Sequence, residues 1–260
     1  MSFADVNGQR LFFQDSGGIG TPIIFSHGFL MDHEMFAAQV DALSGEFRCI
    51  TWDERGFGET PATEPFTYWD SADDALALLT HLEIEAAFFV GMSQGGFISL
   101  RAALRAPERV LGLGLIDTQG GVEEEDARPL FEAMNSEWIA NGPSDALIDA
   151  VAATIMSPGY DYSSWTAKWK AQPKEEALLT FRTLMDRDDI WDRVPEITAS
   201  AIIFHGEEDV AITMDKAERL ASLLPHCEGL IRIPGAGHAS NLSHPDEVNG
   251  PLRSFLRSHT

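Results

Sequence analysis

The 260-residue sequence predicts an α/β fold with a mainly parallel, twisted sheet and helices on both of its faces. Three observations support this prediction. Short apolar runs alternate with segments of helical spacing, the runs are apolar on both faces, and chemically active side chains directly follow several of them. The length suits one large domain with room for an inserted subdomain.

The elements follow one another in a regular order. Apolar residues flank the turn pair Asn7-Gly8, which predicts a hairpin of residues 3–6 and 11–14. Further on, continuous apolar runs predict buried strands, and apolar residues three and four positions apart predict helices. The predicted strands cover residues 22–26, 47–52, 87–90, 110–116, 201–204 and 229–233. The predicted helices cover residues 35–43, 69–82, 97–104, 214–224 and 245–257.

Residues 122–194 differ from the rest of the chain because they contain no convincing strand, and prolines separate their helical stretches. Four of the six tryptophans lie there, namely Trp138, Trp165, Trp169 and Trp191. We therefore predict a helical insertion over the sheet, with residues 1–121 and 195–260 forming the core domain.

Composition excludes several classes of function. The formal net charge of −23 argues against nucleic acid and anionic membrane surfaces as partners, since both bind basic patches. No cysteine and histidine spacing resembles a metal site, and the glycines at 17–20 do not connect a strand to a helix as a dinucleotide fingerprint requires. The N-terminus has no secretory pattern and the apolar runs are too short to span a bilayer. We expect a cytoplasmic protein that uses neither a metal nor an organic cofactor.

The most informative motif is Gly91-Met92-Ser93-Gln94-Gly95, which lies between a predicted strand and a predicted helix. In this context a Gly-x-Ser-x-Gly turn projects the serine hydroxyl from the carboxyl end of the sheet as a nucleophile. Glycine is required at 91 and 95 because a Cβ at either position would collide with the neighbouring strand or helix. Ser93 is therefore the predicted nucleophile.

A serine hydroxyl needs a base to remove its proton, and eight histidines are available. His238 is the predicted base because it follows the last predicted strand in a loop of small residues. Asp209, which follows the preceding strand, is the predicted acid that orients the imidazole. Glu207 and Glu208 compete with it in the same turn, and Asp117 is a second candidate after an earlier strand.

Two backbone N–H groups are expected to bind the oxyanion of the reaction intermediate. One belongs to Gln94, directly after the nucleophile. The other belongs to Phe29 in the loop His27-Gly28-Phe29, whose path Gly28 permits. We expect His27 to hold this loop by hydrogen bonds and to take no direct part in catalysis.

These motifs resemble those of the α/β-hydrolase fold family, and the resemblance covers nearly the whole chain. The matching segments are His27-Gly28-Phe29, Asp53-Glu54-Arg55-Gly56-Phe57-Gly58, Gly91-Met92-Ser93-Gln94-Gly95-Gly96, Gly206-Glu207-Glu208-Asp209 and Gly235-Ala236-Gly237-His238. The resemblance implies a triad of Ser93, Asp209 and His238, oxyanion donors at Phe29 and Gln94, and a lid formed by residues 122–194. Within the family the chain is most similar to cofactor-free serine esterases, enol-lactonases, non-haem haloperoxidase-like proteins and carbon–carbon bond hydrolases. Haloalkane dehalogenases and epoxide hydrolases are disfavoured because they carry an aspartate where this chain has a serine.

The leading hypothesis is a hydrolase that cleaves a small or medium apolar carboxylic ester or lactone through an acyl-enzyme on Ser93. We expect the four tryptophans of the insertion to line its apolar pocket. Two alternatives use the same motifs. A carbon–carbon bond hydrolase holds a dienoate carboxylate, for which Lys168, Lys170, Arg182 and Arg187 are candidates. A small-molecule receptor of the same fold keeps the triad but stops after about one equivalent of product.

Overall fold

The computed structural model describes residues 2–122 and 128–260. Its strands are β1 (Ser2–Val6), β2 (Gln9–Asp15), β3 (Pro22–Ser26), β4 (Arg48–Trp52), β5 (Ala87–Met92), β6 (Val110–Ile116), β7 (Ala201–Gly206) and β8 (Cys227–Ile233). They form one sheet in the order β1-β2-β4-β3-β5-β6-β7-β8. β2 runs antiparallel to both of its neighbours, and the remaining neighbouring pairs are parallel. The predicted mainly parallel sheet is confirmed.

Helices connect the strands in the alternation that the sequence predicts. Those in the described residues are α1 (Ala37–Leu43), α2 (Tyr68–His81), α3 (Gln94–Arg105), α4 (Arg128–Asn141), α5 (Asp145–Ile155), α6 (Ser163–Ala171), α7 (Lys174–Met185), α8 (Met214–Leu223), α9 (Ser240–Ser243) and α10 (Pro245–Ser258). Short 3₁₀ helices cover His33–Phe36, Pro107–Arg109 and Trp191–Glu196. None of these helices is both long enough and apolar enough to cross a membrane.

Both faces of the sheet are buried, because consecutive strand residues belong to two different hydrophobic clusters. On β3, Ile24 packs with α2, α3 and α8, whereas Ile23 packs with α1 and α10. On β5, Phe89 and Phe88 divide in the same way. Successive side chains of a strand point to opposite faces, so continuous apolar runs are what a sheet covered on both sides requires.

Local sequence signals explain where the elements begin and turn. The β1–β2 hairpin turns at Asn7 and Gly8, which both have positive φ (49° and 73°), as a tight hairpin turn demands. Helix α2 begins one residue before the predicted start, because Thr67 and Asp70 form a reciprocal capping box around its first turn. The predicted helix 35–43 is split into a 3₁₀ turn and α1.

Helices α4–α7, which we call the inserted helices, connect β6 to β7 and lie in the segment that the sequence singles out. Among the described residues of this segment there is no strand. The last part of this segment packs against the helices that cover the sheet, however, since Trp191 and Val194 belong to the cluster formed by α2, α3 and α8. Residues that follow the carboxyl ends of β3, β5, β7 and β8 line one cavity together with the inserted helices, at the edge where open parallel sheets bind ligands.

Candidate active site

Ser93 lies on the sharp turn between β5 and α3, where its backbone has φ 52° and ψ −115°. A positive φ strains a non-glycine residue, and such strain concentrates at functional sites. A Cβ on Gly91 would overlap the backbone of Gly95, and a Cβ on Gly95 would overlap the carbonyl oxygen of Ser26 on β3. The predicted requirement for glycine at both positions is confirmed.

The end of β6 holds the backbone of Ser93 on both sides. The Ser93 N–H donates to the carbonyl of Ile116 (2.9 Å), and the Thr118 hydroxyl donates to the carbonyl of Ser93 (2.7 Å). Thr118 was not among the residues predicted from the sequence to belong to the site. Its only signal is its place two residues beyond the end of a predicted strand.

His238 and Asp209 form a buried pair at the ends of β8 and β7. His238 Nδ1 lies 2.8 Å from Asp209 Oδ2, and the two residues are 4% and 7% exposed. The other carboxylate oxygen, Oδ1, accepts the N–H groups of Ala211 (2.8 Å) and Ile212 (3.0 Å). Because Oδ2 can only accept, Nδ1 carries the proton and Nε2 is left with the lone pair that a general base needs.

Two opposing effects act on the pKa of His238. Burial of the ring acts to lower the pKa, but the charge and hydrogen bond of Asp209 outweigh burial, and Asp117 adds to them. The net result is that the pKa of His238 is raised above the ordinary 6.5 of a histidine. The imidazolium that forms during proton transfer is therefore stabilised where it arises.

Ser93 and His238 line one cavity between the sheet and the inserted helices. The volume of this cavity, measured as the space that the centre of a water molecule can occupy, is about 90 Å³. The Ser93 hydroxyl and the His238 ring are not in hydrogen-bonding geometry in this structure, and such contacts commonly tighten only when substrate binds. The lining residues from outside the inserted helices are Phe29, Leu30, Met31, Met92, Ser93, Phe97, Ala211, Ile212 and His238. The inserted helices contribute Phe131, Met134, Asn135, Trp138, Val151, Thr154, Ile155, Phe181 and Leu184.

The backbone N–H groups of the two predicted oxyanion donors, Phe29 and Gln94, have no hydrogen-bond acceptor within residues 2–122 and 128–260. Gln94 is the first residue of α3, so its N–H has no carbonyl to bond within the helix. Next to Phe29, a Cβ on Gly28 would crowd the sulfur of Met92. His27 holds this loop as expected, because its Nδ1 bonds to the carbonyl of Gly28 (2.8 Å) and its Nε2 accepts the N–H of Glu54 (3.0 Å).

The competing acids lie in different surroundings. Glu207 and Glu208 are exposed, whereas Asp117 is fully buried at the end of β6. Both carboxylate oxygens of Asp117 accept backbone N–H groups, and the histidine nitrogen within ion-pair distance of it is Nδ1 of His205, at 3.9 Å. Among the candidates, Asp209 alone is hydrogen-bonded to the ring of His238 in the described part of the chain.

The four tryptophans that were predicted to bind substrate do not share one location in the structure. Trp138 lines the cavity and contacts Phe181 edge to face. The other three lie outside the cavity lining and pack against other parts of the chain. Trp165 lies under the Lys168 ammonium, the Trp169 indole N–H donates to the Leu30 carbonyl (2.6 Å), and Trp191 packs on Gly120 and Gly121 under Arg219.

The basic side chains proposed for a substrate carboxylate are also outside the cavity lining. Lys168 pairs with Asp32 and Glu34, and Lys170 pairs with Asp145. Arg182 is exposed, and the buried Arg187 donates to the carbonyls of Gly121 and Leu184. The described lining residues include no lysine or arginine.

Two clusters in the described chain have the composition of a cation site, but their donor atoms are already engaged. In the first, Asp32 binds the Lys168 ammonium, and Asp53 accepts the His33 ring and two backbone N–H groups. The second cluster is Asp117, His205 and Asp209, whose carboxylates accept the contacts described above. This donor chemistry gives no reason to assign a metal to either cluster.

Comparison with known proteins supports the fold described above. Residues 21–245 match the family model described as alpha/beta hydrolase fold. The 3-oxoadipate enol-lactonase 1 of Acinetobacter baylyi is 25% identical over 257 residues, which cover 96% of this chain and 94% of that protein. Among solved structures, the enol-lactonase from Burkholderia xenovorans LB400 superimposes with a TM-score of 0.90 and 26% identity, covering 98% of this chain and 100% of that chain. A thermophilic esterase from Thermogutta terrifontis gives 0.88 and 26%, covering 98% and 96%.

The sheet order, the strained serine turn and the match over residues 21–245 lead to one conclusion. The chain belongs to the α/β hydrolase fold family.

Proposed function

We propose that this chain is a serine hydrolase that cleaves a small or medium apolar carboxylic ester or lactone through an acyl-enzyme on Ser93. The observation that carries the proposal is the hydrogen-bonded His238–Asp209 pair, which shares one cavity with a serine on a strained strand-to-helix turn. Esterase and enol-lactonase chemistry is described for two structural neighbours of this chain, which supports the same reaction class.

In the proposed acylation step, Nε2 of His238 takes the proton of the Ser93 hydroxyl as the oxygen attacks the ester carbonyl. The carbonyl oxygen becomes an oxyanion and accepts the free N–H groups of Phe29 and Gln94. His238 then gives its proton to the leaving alcohol oxygen, the bond between carbonyl carbon and that oxygen breaks, and the acyl group stays on Ser93.

Deacylation repeats these steps with water. His238 takes a proton from a water molecule, the resulting hydroxide attacks the acyl carbon, and the same two N–H groups hold the oxyanion. The ester bond to Ser93 then breaks, the serine oxygen recovers its proton from His238, and the carboxylic acid leaves. These steps require no metal or cofactor, since the three side chains supply the nucleophile and both proton transfers.

The lining of the cavity supports an apolar substrate. Among the described lining residues, the polar side chains other than Ser93 and His238 are those of Asn135 and Thr154, and the rest are apolar or aromatic. Transfer of a charged carboxylate into such a lining without a cationic partner is unfavourable. The position of the lysines and arginines outside the lining therefore weighs against the carbon–carbon hydrolase alternative.

We further propose that residues 122–194 act as a lid on a core formed by residues 1–121 and 195–260. The support is that half of the described residues lining the cavity of Ser93 belong to the inserted helices. A lid in this position excludes water from the reaction and sets the size of the acyl group.

The proposal is tested with a panel of esters and lactones of increasing acyl chain length, assayed with the wild type and with Ser93→Ala. We expect continued turnover of neutral apolar substrates by the wild type, about 10⁴-fold less with the variant, and no change after dialysis against a chelator. Wild-type turnover that stops after one equivalent of product would favour the receptor, and metal-dependent recovery of activity would exclude the serine mechanism.

A further inference from the structure

We propose that Asp117 is a positioning residue of this site: it ties the loop of Asp209 to the loop of His238 and places a second negative charge beside the catalytic imidazole. The inference rests on the proposed function. It starts from the fact that Asp117 is fully buried, hydrogen-bonded and unused by the mechanism above.

The carboxylate of Asp117 bridges the two loops that must act together. Oδ1 accepts the N–H of Gly206 (2.9 Å), three residues before Asp209. Oδ2 accepts the N–H of Ser240 (2.7 Å), two residues after His238. One side chain therefore fixes the distance between the loops that carry the acid and the base, although it touches neither of those side chains through a hydrogen bond.

The backbone around Asp117 extends this bridge to the nucleophile. Its neighbours Ile116 and Thr118 bond to the N–H and the carbonyl of Ser93, as described above. The N–H of Asp117 donates to Phe204 on β7 (2.9 Å). Asp117 adopts a positive φ of 45°, which an aspartate tolerates at a cost, so its side chain is directed at the expense of backbone strain.

Asp209, Asp117 and His205 form one buried cluster of titratable groups, in which Asp209 is hydrogen-bonded to the His238 ring. His205 lies between the two carboxylates, with Nδ1 3.9 Å from Asp117 Oδ1 and Nε2 3.5 Å from Asp209 Oδ2. Its Nε2 bonds to the Ile212 carbonyl (2.8 Å), and its Nδ1 has no hydrogen-bond partner in the described chain. The described residues that line the cavity with His238 include no carboxylate, lysine or arginine.

The charge of Asp117 affects the pKa of His238. Burial, followed by the charge of Asp209, raises the pKa of Asp117, while two backbone N–H groups favour its ionised form. The negative charge of Asp117 in turn acts to raise the pKa of His238, after the larger effects of burial and Asp209. Removing that charge while keeping the side-chain shape must therefore move the pKa of His238 downwards.

The test compares Asp117→Asn and Asp117→Glu with the wild type in kcat, KM and the pH dependence of kcat/KM. Asp117→Asn should lower kcat by about 10- to 100-fold, the scale of a small misplacement of catalytic groups, with little change in KM. Its pH profile should have a midpoint below that of the wild type. Asp117→Glu keeps the charge but lengthens the bridge, so kcat should fall while the midpoint stays close to that of the wild type.

Asp53→Asn is the matched control. Asp53 is also fully buried at a strand end and accepts the N–H groups of His33 (2.7 Å) and Glu59 (2.9 Å), but it follows β4 and makes no hydrogen bond or ion pair with His238 in the described chain. This variant should leave the midpoint unchanged. A midpoint that moves equally in Asp53→Asn, or does not move downwards in Asp117→Asn, overturns the proposal.

The remaining outcomes are also decisive. A loss in Asp117→Asn as large as that in Asp209→Asn, without a further loss in the double variant, would make Asp117 part of the triad and contradict a positioning role. Failure of both Asp117 variants to fold, when Asp53→Asn folds, would make it a folding residue. Labelling of Ser93 by a serine-directed phosphonate separates the two hypotheses: if Ser93 is labelled and Asp117→Asn is normal, only this inference fails.

Discussion

Replacing Asp209 by asparagine should inactivate the site while leaving the fold intact. In the structure Oδ1 of Asp209 accepts two backbone N–H groups, and Oδ2 accepts the ring N–H of His238. An asparagine that keeps its oxygen at the Oδ1 position retains both backbone bonds and presents an NH₂ group to Nδ1 of His238. Nδ1 must then accept, so the proton moves to Nε2, which can no longer take the proton of Ser93.

The opposite orientation of the amide does not rescue the site. It restores an acceptor for Nδ1 but places the NH₂ group against the N–H groups of Ala211 and Ile212, which are then buried without an acceptor. Each such loss costs about 1–3 kcal/mol, so the first orientation dominates. We expect kcat to fall about 10⁴-fold, which corresponds to about 5 kcal/mol of transition-state stabilisation.

The assay is the steady-state hydrolysis of the best ester of the panel, together with thermal unfolding of each variant. Glu208→Gln is the control, because Glu208 lies in the same turn but its side chain is exposed. It should retain activity within about twofold of the wild type, as expected for a surface substitution. An Asp209→Asn enzyme within tenfold of the wild type, or an equal loss in Glu208→Gln, would refute this reasoning.

Three further predictions follow from the surroundings of the site. The value of kcat/KM should rise with pH through a midpoint above 6.5, because only the neutral ring of His238 can accept a proton and Asp209 outweighs the effect of burial on its pKa. A midpoint below 6.5 would contradict the assigned pair. Trp138→Ala should shift the preferred acyl chain to a longer one by enlarging the cavity, whereas Trp165→Ala should leave the chain-length profile unchanged. Trp169→Phe should lower kcat about 10-fold, since it releases the Leu30 carbonyl beside the oxyanion loop, and an unchanged kcat would show that this bond does not position the loop.

The features that could be predicted from the sequence are those with a local cause. The turn at Ser93 needs glycine on both sides, and the apolar runs before and after it define its strand and helix, so the motif and its context lie within a short stretch of chain. The carboxyl ends of parallel strands meet at one edge of the sheet, which is enough to bring the loops of Asp209 and His238 together before any coordinates are known.

What could not be predicted depends on how distant elements pack. Trp138 and Trp169 both lie within inserted helices, yet Trp169 bonds to the Leu30 carbonyl and Trp138 faces the cavity, because the rotation of each inserted helix is set by tertiary contacts. Asp117 and Asp209 both follow a strand, so the sequence alone does not tell their roles apart. In the structure Asp209 is hydrogen-bonded to the His238 ring, whereas Asp117 accepts the N–H of Ser240 in the same region.

The central claim is that Ser93 is the nucleophile, and covalent labelling tests it most directly. The wild type is treated with a serine-directed phosphonate until hydrolysis stops, and the modified peptide is identified by mass spectrometry. We expect one phosphonate per chain on Ser93, loss of ester turnover in parallel with labelling, and neither labelling nor turnover in Ser93→Ala. Modification of a different serine, or a Ser93→Ala enzyme that still hydrolyses the ester, would contradict it.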